Sequence, residues 1–174
     1  GKLHILDIGL DQTFINATHT QYKTIDAEDV AAIYKKRNPF SHKGTYGSVL
    51  MIGGSYGKIG AITLSTKAAL RAGAGLVTAL IPACGYSVLQ TAVPEAMCMT
   101  SGKNILEKIE GWEKMTAIGI GPGMGIDPDT ASAFADFIDA CKDPIVVDAD
   151  ALNLMARQPD LLAKLPKGSM LTPY

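Results

Sequence analysis

The stretch Ser48-Val49-Leu50-Met51-Ile52-Gly53-Gly54-Ser55-Tyr56-Gly57-Lys58-Ile59-Gly60-Ala61 decides the fold. Its first five residues read as a buried strand stopped by Gly53-Gly54. Ile59 to Ala72 then reads as a helix of small residues, with Lys67 and Arg71 at i,i+4 on its polar edge. Downstream the same unit recurs. Gly75–Ile81 (GLVTALI) reads as a strand, Ser87–Val93 as a short helix and Glu95–Met99 as a short strand. Asn104–Gly111 has the spacing of an amphipathic helix. Met115–Ile120 (MTAIGI) is a strand stopped by GPGMG. Asp127–Ala140 is a helix with Asp127 as cap and Pro128 at its first position. Pro144–Val147 is a strand, Ala149–Arg157 and Asp160–Leu165 are helices, and Ser169–Leu171 opens a last strand. Near-continuous apolar strands alternating with helices predict a parallel sheet covered on both faces. In such sheets ligands bind beyond the carboxyl ends of the strands.

Upstream, Leu3–Ile8 (LHILDI) reads as a short buried strand ending at Gly9, and Leu10–Lys23 as a linker without helical period. Thr24 and Asp26 precede AEDVAAIYKKR, a capped helix that ends before Asn38-Pro39. Ser41–Gly47 is a polar, glycine-punctuated loop.

Composition excludes several classes. With 47% hydrophobic and 19% charged residues among 174, the chain is not disordered as a whole. A net charge of −1, four Phe, one Trp and six Tyr offer neither a polycation nor a stacking platform for nucleic acid. The most apolar stretch, Ala61–Ala83, is broken by Lys67 and Arg71 and is no membrane span. Cys84, Cys98 and Cys141 are widely spaced and odd in number, with no CxxC and no zinc spacing. They suit a reduced, cytoplasmic protein. Val30–Pro94 carries seven basic residues and no acidic one, whereas Glu95–Tyr174 carries seven basic and twelve acidic. Either this is solvated charge, or the cationic block faces an anionic small molecule.

Four segments carry chemistry-capable residues. Gly53–Ala61 follows a strand and opens a helix, where glycines permit close backbone approach and helix amides suit phosphate. It fits neither the Walker A spacing nor GxGxxG, and an ordinary strand-helix turn is the bland alternative. Gly119-Ile120-Gly121-Pro122-Gly123-Met124-Gly125 sets four glycines at alternate positions across a strand end. Such a run weakens a turn unless close approach is needed. Asp148 and Asp150, with Asn153 beyond them, follow a buried strand. Either carboxylate could cap the next helix, hold a ligand hydroxyl or hold a Mg2+-bound water. Ser41-His42-Lys43-Gly44-Thr45-Tyr46-Gly47 combines cationic, hydroxyl and imidazole donors, as an anion contact or as surface decoration. The candidate ligand or phosphate contacts are therefore Lys43, Gly53, Gly54, Gly121, Asp148 and Asn153. No catalytic triad order and no metal-ligand set is evident, and His4, His19 and His42 share no spacing.

The blocks HKGTYGSVLMIGGSYGKIGAITLSTKAALRAGAGLVTALIP, PEAM, AIGIGPGMG, PIVVDADALNLMA and LTP, in that order over about residues 41–174, resemble the ATP- or ADP-dependent NAD(P)HX dehydratases. The resemblance implies a ribokinase-like three-layer α/β/α fold with a mainly parallel sheet. It implies a lyase that dehydrates hydrated NADH and NADPH with ATP or ADP and Mg2+. In many bacteria that domain follows an NAD(P)HX epimerase domain, and Leu3–Leu10 looks like the last strand of one. Residues 1–24 would then be the epimerase tail plus linker, and 25–174 the first part of the dehydratase. Carried over by position, Ala61 and Gly123 contact the hydrated dinucleotide, small because a larger side chain would take ligand volume. On that basis Gly123→Val is expected to weaken ligand binding by steric intrusion, with little loss of stability. Tyr174 takes the third substrate-contact position, where the family has a histidine. The family's phosphate turn and catalytic Asp lie further on. The chain thus reads as truncated, its catalytic residues are unassigned, and residues 1–174 alone are expected to be inactive. The expected partners are the hydrated dinucleotide and other copies of the chain in a homo-oligomer, with no nucleic acid and no membrane. A small-molecule kinase of the same fold and a non-catalytic nucleotide-binding fragment are the alternatives.

Overall fold

The computed structural model describes residues 4–173. These divide into two compact units, one up to Pro39 and one from Phe40 onward. In the first, α1 (Gln12–Ala17) is capped by Asp11, whose carboxylate accepts from the Phe14 N–H at 2.8 Å. Helix α2 (Ala27–Ile33) starts in a capping box: Asp26 accepts from the Glu28 and Asp29 amides, and the Asp29 carboxylate accepts from the Asp26 amide. Neither helix buries a residue, so local capping rather than packing sets where they begin.

The second unit carries the sheet. Its strands are β1 (Ser48–Ile52), β2 (Leu76–Ile81), β3 (Met97–Thr100), β4 (Ala117–Ile120), β5 (Val146–Asp148) and β6 (Met170–Thr172), in the order β3-β2-β1-β4-β5-β6. Every neighbouring pair is parallel. Between them run α3 (Ile59–Ala72), α4 (Tyr86–Ala92), α5 (Pro128–Ala140), α6 (Ala149–Arg157) and α7 (Asp160–Lys164). Strand residues alternate between two faces, as the pleat requires. Leu50, Ile52, Ile118, Ile120 and Val147 join Phe134, Phe137, Leu154 and Leu161 of α5, α6 and α7 in one core. Ala79 and Ile81 join Ile59, Ile62 and Leu89 of α3 and α4 on the other face, with Met51 packed against them. The parallel, helix-covered sheet is therefore the one expected.

Several local expectations are corrected. Of Leu3–Ile8, the described residues form no strand, and Ile5, Leu6 and Ile8 stay 78–81% exposed. An apolar run without a neighbouring strand has nothing to pair with. The linker contains α1, and the capped helix ends at Ile33 rather than running to Arg37. Asn104–Gly111 is not a helix. Leu106 and Ile109 are buried as its spacing suggested. Its backbone, however, bonds outward: Asn104 O accepts from Tyr56 N, Leu106 O from the Thr130 hydroxyl, and Lys108 N donates to Ser101 Oγ.

Candidate functional site

The chain leaves β1 through α3 to reach β2 on one side, while β4 lies on the other. The winding direction reverses between β1 and β4, and in open α/β sheets that is where a crevice opens beyond the strand ends. The two glycine-rich turns, Gly53–Lys58 and Gly121–Gly125, leave those two strand ends.

The turns are locked to each other. Gly54 N–H donates to the Pro122 carbonyl at 2.9 Å, and the buried Ser55 hydroxyl donates to the Gly123 carbonyl at 2.8 Å. A Cβ on Gly53 would run into the Pro122 carbonyl oxygen. Gly121, at φ +128°, lies so close to the following strand that a Cβ would run into the Asp148 carbonyl oxygen. Gly123, at φ +66°, would set a Cβ 2.6 Å from the Lys58 carbonyl oxygen and 3.1 Å from the Ala61 Cβ. Left-handed backbone and contact this tight admit glycine alone.

This changes what the glycines do. Gly53, Gly54 and Gly121 were expected to offer amides to an anion. Their N–H groups instead donate to the carbonyls of Leu80, Pro122 and Ile52. The glycines let one turn approach the other. The volume next to Gly123 is taken by Lys58 and Ala61 of the protein, so the expectation that Gly123→Val spares stability does not hold. Ala61 itself is exposed on the first turn of α3, against Gly123.

The two carboxylates after β5 do not cap α6. Asp148 occupies the N-cap position without a side-chain cap bond, and its Oδ1 accepts from the Thr172 hydroxyl at 2.7 Å, tying β5 to β6. Asp150 reaches back to the glycine turns. Its Oδ2 accepts from Gly125 N–H at 2.9 Å and lies 3.4 Å from the Lys58 ammonium, and its Oδ1 accepts from the Asn153 amide at 3.3 Å. Burial pushes the Asp150 carboxyl up. The Gly125 and Asn153 hydrogen bonds and the Lys58 charge outweigh it, so the group sits below its ordinary range. Ala149, between the two aspartates, is at φ +49°, the sole non-glycine with positive φ among the described residues.

Beside these groups Met51, Gly119, Pro122, Val146, Asp148 and Thr172 line an open cavity of about 430 Å3 on the α3 face of the sheet. The structure thus brings together Gly53, Gly54, Ala61, Gly121, Gly123, Asp148 and Asn153. It does not bring Lys43 to them. Lys43 sits in a 3-10 turn (Lys43–Tyr46) before β1, and Gly75 and Leu76 N–H bond Tyr46 and Gly47 at the amino ends of the strands. That is a strand length away, about 16 Å at 3.3 Å per residue. Tyr174 lies outside the described residues. Lys58, Ser55 and Thr172 escaped the sequence reading as site members. Lys58, a cation inside the first glycine turn, was the one with a visible signal.

Comparison with known proteins identifies the surroundings of this site. The NAD(P)H-hydrate dehydratase family matches residues 49–174. The chain is 35% identical to the bifunctional NAD(P)H-hydrate repair enzyme Nnr of Moorella thermoacetica, over 100% of this chain and 34% of that protein. It is 34% identical to the ADP-dependent (S)-NAD(P)H-hydrate dehydratase of Lactococcus lactis, over 84% of this chain and 53% of that one. The crystal structure of the ADP/ATP-dependent NAD(P)H-hydrate dehydratase of Bacillus subtilis, co-crystallized with ATP/Mg2+, superposes with a TM-score of 0.59 at 31% identity, covering 72% of this chain and 45% of that one. A ribokinase-like superfamily protein of Enterococcus faecalis superposes with a TM-score of 0.60 at 26% identity, over 71% and 44%. The chain spans about a third of the length of the bifunctional relatives it matches. A match over residues 49–174, carrying both glycine turns and the sheet between them, means that the chain belongs to the NAD(P)H-hydrate dehydratase family.

Proposed function

We propose that the chain is part of an ATP- or ADP-dependent NAD(P)H-hydrate dehydratase, a lyase that returns hydrated NADH and NADPH to their reduced forms. The observation that carries the reading is the pair of interlocked glycine turns at the reversal point between β1 and β4, within the span that matches the family. In this reading Ala61 and Gly123 form the floor on which the hydrated dinucleotide rests. ATP or ADP would phosphorylate the hydroxyl on the hydrated ring, releasing ADP or AMP, and loss of phosphate together with a proton from the neighbouring ring carbon would restore the dihydronicotinamide. Among the described residues there is no group of three His, Cys, Asp or Glu able to hold a metal. A Mg2+ ion would arrive on the nucleotide phosphates, as is usual for that ion.

The same reading assigns residues 1–24 to the tail of an epimerase-like domain with its linker and 25–174 to the dehydratase. It places the protein in the cytoplasm as a homo-oligomer. Three unpaired cysteines suit a reducing compartment, and no helix among the described residues is long and apolar enough to cross a membrane. The test is restoration of reduced-nicotinamide absorbance from purified NADPH hydrate by the complete natural protein, with and without ATP or ADP. Nucleotide-dependent restoration is expected. Phosphorylation of a small alcohol without restoration would point to a kinase instead.

A further inference from the structure

The pairing of Asp150 with Lys58 is not explained by stability. The ion pair is long at 3.4 Å, and the Lys58 side chain is 54% exposed. Exposed pairs of that kind contribute little to stability. The same carboxylate nevertheless spans three elements: the turn after β1 through Lys58, the turn after β4 through Gly125, and α6 through Asn153. It is aimed there by the left-handed Ala149, a conformation that an L-residue rarely adopts. That strain turns the chain so that Asp148 faces Thr172 of β6 and Asp150 faces the glycine turns. Lys58 sits immediately before Ile59 and Gly60, and its carbonyl packs against Gly123. Its ammonium is tethered by one carboxylate oxygen and otherwise open.

We propose that Lys58 is the cation that recognises the phosphates of the dinucleotide and that Asp150 is its positioning residue, holding the ammonium over the Gly123–Gly125 turn. The proposal rests on the reading of this site as one for a hydrated dinucleotide. An anion approaching the turn meets a lysine already directed to it, so less side-chain entropy is lost on binding. Asp150 acts through Lys58 and through the Gly125 amide and touches no reacting atom.

The test uses the complete natural protein with NADPH hydrate and ADP or ATP. Lys58→Ala should raise KM for the hydrate about tenfold with kcat nearly unchanged, and Lys58→Arg should recover most of that loss. The KM of the parent should rise with added salt, and that dependence should flatten in Lys58→Ala. Asp150→Asn, which keeps an acceptor for Gly125 N–H, should raise KM about threefold or more, and the double variant should stay within about twofold of Lys58→Ala alone. A merely structural Asp150 would lower thermal stability and leave KM in place, or its effect would multiply with that of Lys58→Ala. Either result overturns the proposal. A parent protein that turns over the hydrate beside variants with parental KM overturns the proposal alone. A parent that does not turn it over overturns the functional reading and the proposal with it.

Discussion

Gly60→Ala should stabilise the protein and weaken its ligand at once. Gly60 is the second residue of α3, exposed, and a Cβ built there meets nothing within 4 Å. Its φ is not in the positive range, so alanine fits the backbone without strain. Glycine inside a helix costs about 0.5–1 kcal/mol relative to alanine, and removing it at a compatible position recovers about 0.4–1 kcal/mol, largely through the unfolded chain. For a unit of this size that is a rise in Tm of about 1–4 °C. The new methyl would project into open space one residue before Ala61, where the proposed reading sets the hydrated dinucleotide. Displacing a ligand by one methyl group should weaken it about tenfold, or about 1.4 kcal/mol. Thermal unfolding followed by circular dichroism measures the first effect, and calorimetric titration with NADPH hydrate the second. A higher Tm with unchanged affinity would show that the ligand does not approach the start of α3. A lower Tm would show that the backbone at Gly60 needs glycine for itself.

Gly123→Val should lose about 3 kcal/mol or more of stability, because a β-branched side chain at positive φ would press on the Lys58 carbonyl. A parental denaturation midpoint would contradict the packing of the two turns. Phe134→Ala should cost about 3–5 kcal/mol, since Phe134 is fully buried in the larger core. Urea unfolding measures this, and a loss below 1 kcal/mol would mean that the site collapses around the void. Asp150 should contribute stability that is present above its ordinary value near 3.8 and lost as pH falls through its lowered folded value. The difference in Tm between parent and Asp150→Asn should therefore shrink as the pH falls from about 3.8 through that lowered value, and a difference that does not shrink counts against the carboxylate network.

What the sequence reveals follows from where each residue's partners lie. Strands such as Ser48–Ile52 and Leu76–Ile81 are near-continuous apolar runs because both faces of a parallel strand are covered, and they are legible without a structure. The glycine turns are legible as turns. Their use is not, since the partner of Gly54 is Pro122 and that of Gly121 is Ile52, both far along the chain. The helix spacing at Leu106 and Ile109 misleads, because both residues are buried while their backbone bonds elsewhere. Helix α1 leaves no apolar stripe since it buries nothing. The roles of Asp148 and Asp150 diverge through one dihedral angle at Ala149, which no residue pattern encodes. Lys43 stands near the glycine turns in sequence and at the opposite end of the strand in space.

The central claim, that the crevice between the β1 and β4 strand ends takes the hydrated dinucleotide, is tested most directly by amide hydrogen exchange on the complete natural protein with and without NADPH hydrate. The account predicts slowed exchange in residues 55–61 and 121–125 and no change in residues 43–47 at the amino ends of the strands. Protection confined to residues 43–47, or none in either glycine turn at saturating hydrate, would contradict it.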